Sequence, residues 1–506
     1  MRVYEILRIT NLKRRKEMTT RKWMTIVALL ALVSMLLPAC ATPTPEVVKE
    51  TVVVKETVPV TVKETVVVKE TVAVPAGGEV VHLVARCKAA PPHEEGRCNN
   101  LLAAVGAANA ALAEKGDNRR IELEIIQDNA DWGDYKTEFE LASDAGEAPD
   151  IICSGHEHIG DWAPAGYITD VTDMIGDYPE FDDVIDSLWN ATKWNGKMWG
   201  VPQDAEARPM YFNKTKLKEL GWSDEEIASL PDRVAKGEFT WEDMLDTAEA
   251  AVKAGVVAEG NGWWHRPKNG PDFLYYYYAA GGQIQDEGDA LIFEKDAALK
   301  VYRLLYSATQ ERGILSPTRL DGDWTSWHTG WTNGDVLFLF GGSWNWAEWF
   351  SNYVADRGGE DYLWEHFGFS AIPALKEGKD TPITLTHPLV YMVSSQCEYP
   401  DLALLLISKA TTPQLNTDYA IASGHLGILK SQADYPPYTS NKFLSQVLPL
   451  LKFTTFLPNS PYWSAWSEAY YLGIQSVESG DLKPEEALDV VVEQLQNELG
   501  EHVVIR

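Results

Sequence analysis

His156, Glu157 and His158 place two imidazoles and a carboxylate on three consecutive residues. A His-x-His pair invites a metal reading. The zinc-hydrolase pattern, however, needs a histidine four residues after His156, and Gly160 stands there. Asp128, Asp131 and Asp134 recur at three-residue spacing, but the glycine turn and late glutamate of a calcium loop are missing. A capped loop opening a helix is the reading there. No metal and no cofactor is expected. Nucleophile-elbow, P-loop and dinucleotide-fingerprint motifs are also missing. Arg86 and Lys88 end an apolar run, placed to bond a ligand oxygen or to pair with acidic neighbours. The chain also holds 19 Trp, 21 Tyr and 14 Phe. Flat rings with one polar handle suit the C–H faces and hydroxyl rims of sugars. Trp463 and Trp466 lie three apart on one helical face, and Trp263 and Trp264 follow a Gly/Asn loop that can rim a cleft.

The elements that must position these residues read as alternating strands and helices. VVHLVA (80–85), IELEII (121–126) and APDIIC (148–153) read as short strands. Segments 101–116 and 132–143 read as helices between them. This alternation predicts an α/β fold with a mostly parallel sheet covered on both faces, and ligands bind at the carboxyl ends of such strands. The loops after Ala85, Ile126 and Ile152 therefore face a cleft, which places Glu157 beside it. Later segments predict a second α/β unit. Residues 240–255 form a helix capped by Thr240 with Asp243 at its third position, 335–346 a buried strand, and 397–411 and 484–500 further helices. The 428 residues after Gly78 exceed one ordinary core and suffice for two lobes.

The N-terminus sets the compartment. Arg21 and Lys22 precede an apolar run from Met24 to Leu37, and Ala39 precedes Cys40, the order of a secretory signal peptide over residues 1–39. The run has 14 residues, short of the roughly 20 a membrane span needs. Met18 is an alternative start. Residues 40–78 repeat Lys-Glu-Thr at 49, 55, 63 and 69 within valine-rich sequence, read as an extended or flexible tether. A coiled coil or β-stalk is the lesser alternative. The chain carries a net charge of −30, which argues against nucleic acid as a partner. Export permits disulfides. Four cysteines besides Cys40 allow three pairings; the Cys87–Cys98 spacing suits a local staple, and Cys153 and Cys397 are open between a bridge and buried thiols.

Several blocks resemble the extracellular solute-binding proteins of sugar ABC importers, the maltose-binding-protein-like family. NGKMWGVPQDAEARPMYFNKTKLKELGW (195–222) is similar to the family's hinge segment, with Tyr211–Lys214 as its ending. FTWEDMLDTAEA (239–250), NGDVLFLFGGSWNWA (333–347), GHLGILKSQADY (424–435) and SGDLKPEEALDVVVEQL (479–495) follow in the family's order, after PDIICSGHEHIGDWAPAGYITDVT (149–172). The resemblance implies two lobes of type II topology with the ligand between them: 79–206 and 371–427 as lobe I, 207–370 and 428–506 as lobe II. Crossings fall near 204–209, 368–373 and 425–427. It implies a carbohydrate ligand, permease subunits of an importer as partners, and a non-catalytic role. Trp344, Trp463 and Trp466 become candidate sugar-stacking residues. Glu157 and Glu206 become candidate hydroxyl acceptors, with Asp204 and Arg208 as weaker ones. Cys40 resembles the acylated cysteine of bacterial lipoproteins, which anchors the protein outside the cell membrane. The competing readings are a glycoside hydrolase using cleft carboxylates and a structural lipoprotein built on the valine-rich stalk. Replacing Cys40 by serine is expected to leave the protein unprocessed or released from the membrane; mass analysis that finds no lipid on native Cys40 overturns the anchor.

Overall fold

The computed structural model describes residues 78–286, 290–375 and 383–506, together with the backbone of Glu64–Val66. The leader, Cys40 and the rest of the tether lie outside the described residues. Strands β1 (Glu79–Lys88), β2 (Arg119–Asp128) and β3 (Ile151–Gly155) run parallel with β1 in the middle. Glu64–Val66 pairs antiparallel with β2. Helix α1 (Gly96–Glu114) buries Leu101, Ala104, Val105, Ala108 and Leu112. Their three- and four-residue spacing makes one apolar stripe against the sheet. Helix α2 (Trp132–Ala145) begins where Asp131 accepts from the Gly133 N–H, and it stops at Gly146 in the left-handed region (φ 76°). The sheet is completed by β4 (Val201–Pro202) and by a strand that returns much later in the chain.

A second sheet is built from β5 (Met210–Asn213), β6 (Trp263–Trp264), β7 (Phe338–Phe340) and β8 (Phe367–Ser370), in the order β8-β5-β7-β6. Helix α3 (Trp241–Lys253) starts with a capping box between Thr240 and Asp243. Helix α4 (Trp324–Thr332) packs Trp327 and Trp331 against Trp349, which follows the short α5 (Trp344–Glu348), and Trp346 and Trp349 are core residues. The segment expected as one strand over 335–346 is therefore strand only at Phe338–Phe340, with Trp344 and Trp346 on a helix. Gly341, Gly342 and Ser343 turn the chain between them. A Cβ on Gly342 would lie 2.1 Å from the Trp344 ring, so the turn can be this tight only with glycine. Eight of the 19 tryptophans, Trp162, Trp241, Trp263, Trp327, Trp331, Trp346, Trp349 and Trp466, are fully buried and serve the cores.

The chain passes between the sheets repeatedly. Ala205 bridges Leu426, and the Ser343 N–H donates to the Ala207 carbonyl, so residues 205–207 link both units. After β8, Ala374 still bridges Thr240, and β9 (Thr384–Leu385) pairs with β11 (Thr454–Thr455). The first sheet is rejoined only at β10 (Leu389–Val393), antiparallel to both β3 and β4. The second passage thus falls at Thr386–Pro388, later than residues 368–373, because Gly368 pairs with Phe212 inside the second sheet. The first sheet has the order β2-β1-β3-β10-β4.

Cys87 and Cys98 form a disulfide with Cα atoms 5.7 Å apart, while Cys153 and Cys397 are buried free thiols. The bridge closes the loop between β1 and α1. Replacing both cysteines by serine should cost about 3 kcal/mol for a loop of this length, read as a lower urea midpoint; an unchanged midpoint overturns the stapling role.

Candidate functional site

The loop closed by the disulfide is tied to the hinge through one cation. Arg97, at the start of α1, is 2 % exposed; it donates to the Lys88 carbonyl at 3.0 Å and pairs with Glu94 at 2.8 Å. Its guanidinium also donates to Asp204 at 3.1 Å. Asp204 is fully buried and accepts from the Leu389 N–H at 2.9 Å and the Tyr419 hydroxyl at 2.9 Å. Asp204 therefore joins the first passage to the start of β10 and, through Arg97, to the disulfide-closed loop.

From this hinge a chain of alternating charges runs into the second unit. Glu157 Oε2 meets His387 Nε2 at 2.5 Å, and His387 Nδ1 lies 3.9 Å from Glu206 Oε1. Glu206 pairs with Arg208 at 2.5 Å, and Arg208 Nε donates to Asp272 at 2.5 Å. Arg266 lies 3.4 Å from the same Asp272 oxygen. Backbone bonds fix the order: the Glu206 N–H donates to Thr386 Oγ1 at 3.0 Å and the Arg208 N–H to Thr384 Oγ1 at 2.7 Å. Burial alone would raise Glu157, but His387 and His158 reverse that and hold it well below the usual carboxylate range. Burial also works against charging His387; Glu157 outweighs it and lifts the imidazole above its ordinary value. Glu206 goes the other way. Burial pushes it up to about 7 against the pull of Arg208 and His387.

Two aromatic surfaces flank this chain. Trp132 opens α2 and is 40 % exposed; its ring lies 5.3 Å from Lys88 Nζ and 6.3 Å from the His387 ring. Trp324 opens α4 and is 41 % exposed, with the Arg266 guanidinium 5.4 Å from its ring and His328 beside it. Among the described residues these are the two exposed tryptophans, and each opens a helix of a different sheet unit. The sequence reading missed both as ligand candidates. Asp131 and Asp323 cap the two helices, which sets each tryptophan in a first turn.

The predicted residues divide. Glu157, Glu206 and Arg208 come together in the charge chain at the hinge, and Lys88 neighbours it through Trp132, whose ring lies beside His387. Trp344 is half-buried, stacks on His425 at 5.6 Å and lies 5.0 Å from the Arg208 guanidinium, so hinge groups already occupy part of its indole. Arg86 is turned inward: it pairs with Asp128 and with Glu138 at 2.8 Å over the Tyr135 ring, leaving its guanidinium committed to the fold. Trp264 donates to the Gly260 carbonyl and lies under Arg319 at 3.8 Å, a packing residue of the second core instead of a cleft rim. Trp463 and Trp466 stack on each other at 5.4 Å in helix α6 (Trp463–Ser479). Trp466 has no exposed surface and donates to the Ile292 carbonyl, which places it in the core. His156 bonds Asn459, and among the described residues no cluster of three or more groups suits a metal ion.

Two α/β units joined by several chain passages, with charged and aromatic groups from both meeting at the strand ends, define a two-lobed binding fold. The family model described as bacterial extracellular solute-binding protein matches residues 103–416, and the chain belongs to that family. It is 23 % identical over 352 residues to a binding protein of Brucella abortus, covering 68 % of this chain and 78 % of that one. A maltooligosaccharide ABC transporter solute-binding lipoprotein of Streptococcus pneumoniae is 29 % identical over 150 residues, 28 % of this chain and 34 % of that protein. The GacH receptor of Streptomyces glaucescens, solved unliganded and with acarbose, superposes with a TM-score of 0.64 at 15 % identity, covering 83 % of this chain and 98 % of the receptor.

The raised Glu206 carboxyl has a measurable consequence. The folded group keeps its proton to about pH 7 and the unfolded one releases it near 4.5, so this group removes stability as pH rises through that window. Glu206→Gln should therefore gain on the native protein by roughly 3 kcal/mol between pH 4.5 and 7.5; a difference between the two that stays constant with pH, followed by denaturant unfolding, overturns the assignment.

Proposed function

We propose that this protein captures a carbohydrate between its lobes and delivers it to an ABC importer, held outside the membrane by an acylated Cys40. The proposed lobes are residues 79–206 with 387–427, and 207–386 with 428–506. The observation that carries the reading is the pair of exposed tryptophans, Trp132 and Trp324, one on each unit beside a hinge whose carboxylates are internally paired. Flat indoles offer stacking faces to sugar rings, and donors and acceptors beside them bond the hydroxyls. Contacts from both lobes favour closure, because only differential affinity shifts the equilibrium between open and closed forms. The passages at 204–209, 386–388 and 425–427 are where the backbone would bend. The lipoprotein relative supports the anchor.

One observation favours a second reading, a glycoside hydrolase: Glu157 is held low while Glu206 is pushed up to about 7. Carboxyls driven apart in this way are the acid and base of many sites. Against it, the His387 ring stands between them, touching Glu157 through one nitrogen and facing Glu206 through the other, where a scissile bond would need room. Incubation with oligosaccharides should give no shortened product.

A thermal-shift screen against mono- and oligosaccharides tests the main reading. A sugar at a hundred times its Kd should add about 2.7 kcal/mol of stability. Trp132→Ala should weaken binding at least tenfold and leave the unfolding midpoint of the unliganded protein nearly unchanged, since that indole is largely exposed. Equal affinity in the variant overturns the stacking role of Trp132.

A further inference from the structure

Two cations beside the exposed tryptophans, Lys88 and Arg266, keep donors that no side chain takes up, in a chain whose net charge is −30. Lys88 is 7 % exposed, and its ammonium makes no hydrogen bond or ion pair among the described residues; it lies over the Trp132 ring. The carboxylates that face it are engaged elsewhere. Glu94 is paired with Arg97 and accepts from the Ala90 N–H, Asp128 is paired with Arg86, and Asp131 caps α2. On the other unit, Arg208 and Arg266 share one carboxylate, Asp272. Arg208's second partner is Glu206, which burial biases toward its neutral form. Arg266 spends its Nε on the Lys268 carbonyl, and the rest of its fork lies beside Trp324. Each exposed tryptophan therefore has a cation with spare donors at its edge.

A buried cation without a partner is costly, and a ligand that supplies the missing charge recovers that cost on binding. A neutral sugar would satisfy donors with hydroxyl oxygens but leave the charge uncompensated. Burial holds the Lys88 ammonium below its ordinary value, opposed only in part by Glu94, Asp128 and Asp131. We infer that the ligand is an anionic saccharide, a sugar bearing carboxylate groups, whose rings stack on Trp132 and Trp324 while its charges meet Lys88 and Arg266. This inference rests on the carbohydrate reading and narrows it.

The test uses matched oligosaccharide pairs that differ only in oxidation at C6: glucose and glucuronate, galactose and galacturonate, mannose and mannuronate oligomers, followed by calorimetric titration. The acidic member of at least one pair should bind ten or more times tighter than its neutral counterpart. Lys88→Met keeps the aliphatic stem and removes the charge. It should abolish that preference while leaving the unliganded unfolding midpoint the same or higher, and Arg266→Gln should reduce the preference through the other unit. Neutral members binding as tightly as acidic ones overturn the inference and leave the carbohydrate reading standing. A preference that survives in both variants also overturns it. Binding by no member of any pair counts against the carbohydrate reading itself, and the inference falls with it.

Discussion

A single buried carboxylate, Asp204, holds the geometry of the site together. It accepts from a backbone N–H at the start of β10, from the Tyr419 hydroxyl and from the Arg97 guanidinium. Those partners come from three distant stretches of chain: the start of β10 just past the second passage, the helix before the third, and the first turn of α1 inside the loop that the disulfide closes. A buried charge that lost any one of them would be left partly uncompensated, which costs far more than a surface contact. The demand to satisfy Asp204 therefore fixes where the passages meet and, through Arg97, where Lys88 and Glu94 stand. The charge chain from Glu157 to Arg266 passes through Glu206, two residues beyond this point, so its register is inherited from the hinge.

That arrangement explains a contrast within the cleft. The carboxylates are bound to cations of the protein, but the aromatic faces and some of the cations are not. A hinge needs fixed internal electrostatics to bend at defined residues while each unit stays rigid. Recognition needs surfaces that remain unsatisfied until the ligand arrives. Here the two requirements fall on different side chains: Asp204, Glu206 and Arg208 serve the first, and Trp132, Trp324 and Lys88 serve the second.

Much of the fold was legible in the sequence because local chemistry and tertiary packing agree. The strand-helix-strand beginning, the Thr240–Asp243 cap and the helices at 400–410 and 484–499 follow from periodicity and punctuation. The site was legible only in part. Glu157, Glu206 and Arg208 lie beside strand ends or the hinge, where chain order alone brings them together. Trp264 and Trp466 could not be separated from Trp132 and Trp324 by type or spacing, since burial of an indole depends on what packs over it. His387 was missed for another reason: the crossing was expected near 368–373, and only the pairing of Thr384–Leu385 with Thr454–Thr455 delays the return to the first sheet until Leu389.

The unequal exposure of the tryptophans gives the molecule an optical property. Among the described residues most indoles are screened from water, and the two most accessible ones each have a cation within 5.4 Å of the ring centre. A collisional quencher such as iodide would be drawn to these two by the adjacent positive charge, while the buried indoles emit undisturbed. Occupation of the cleft would then register as light protected from quenching, with no label attached and no need for the bound compound to absorb or emit.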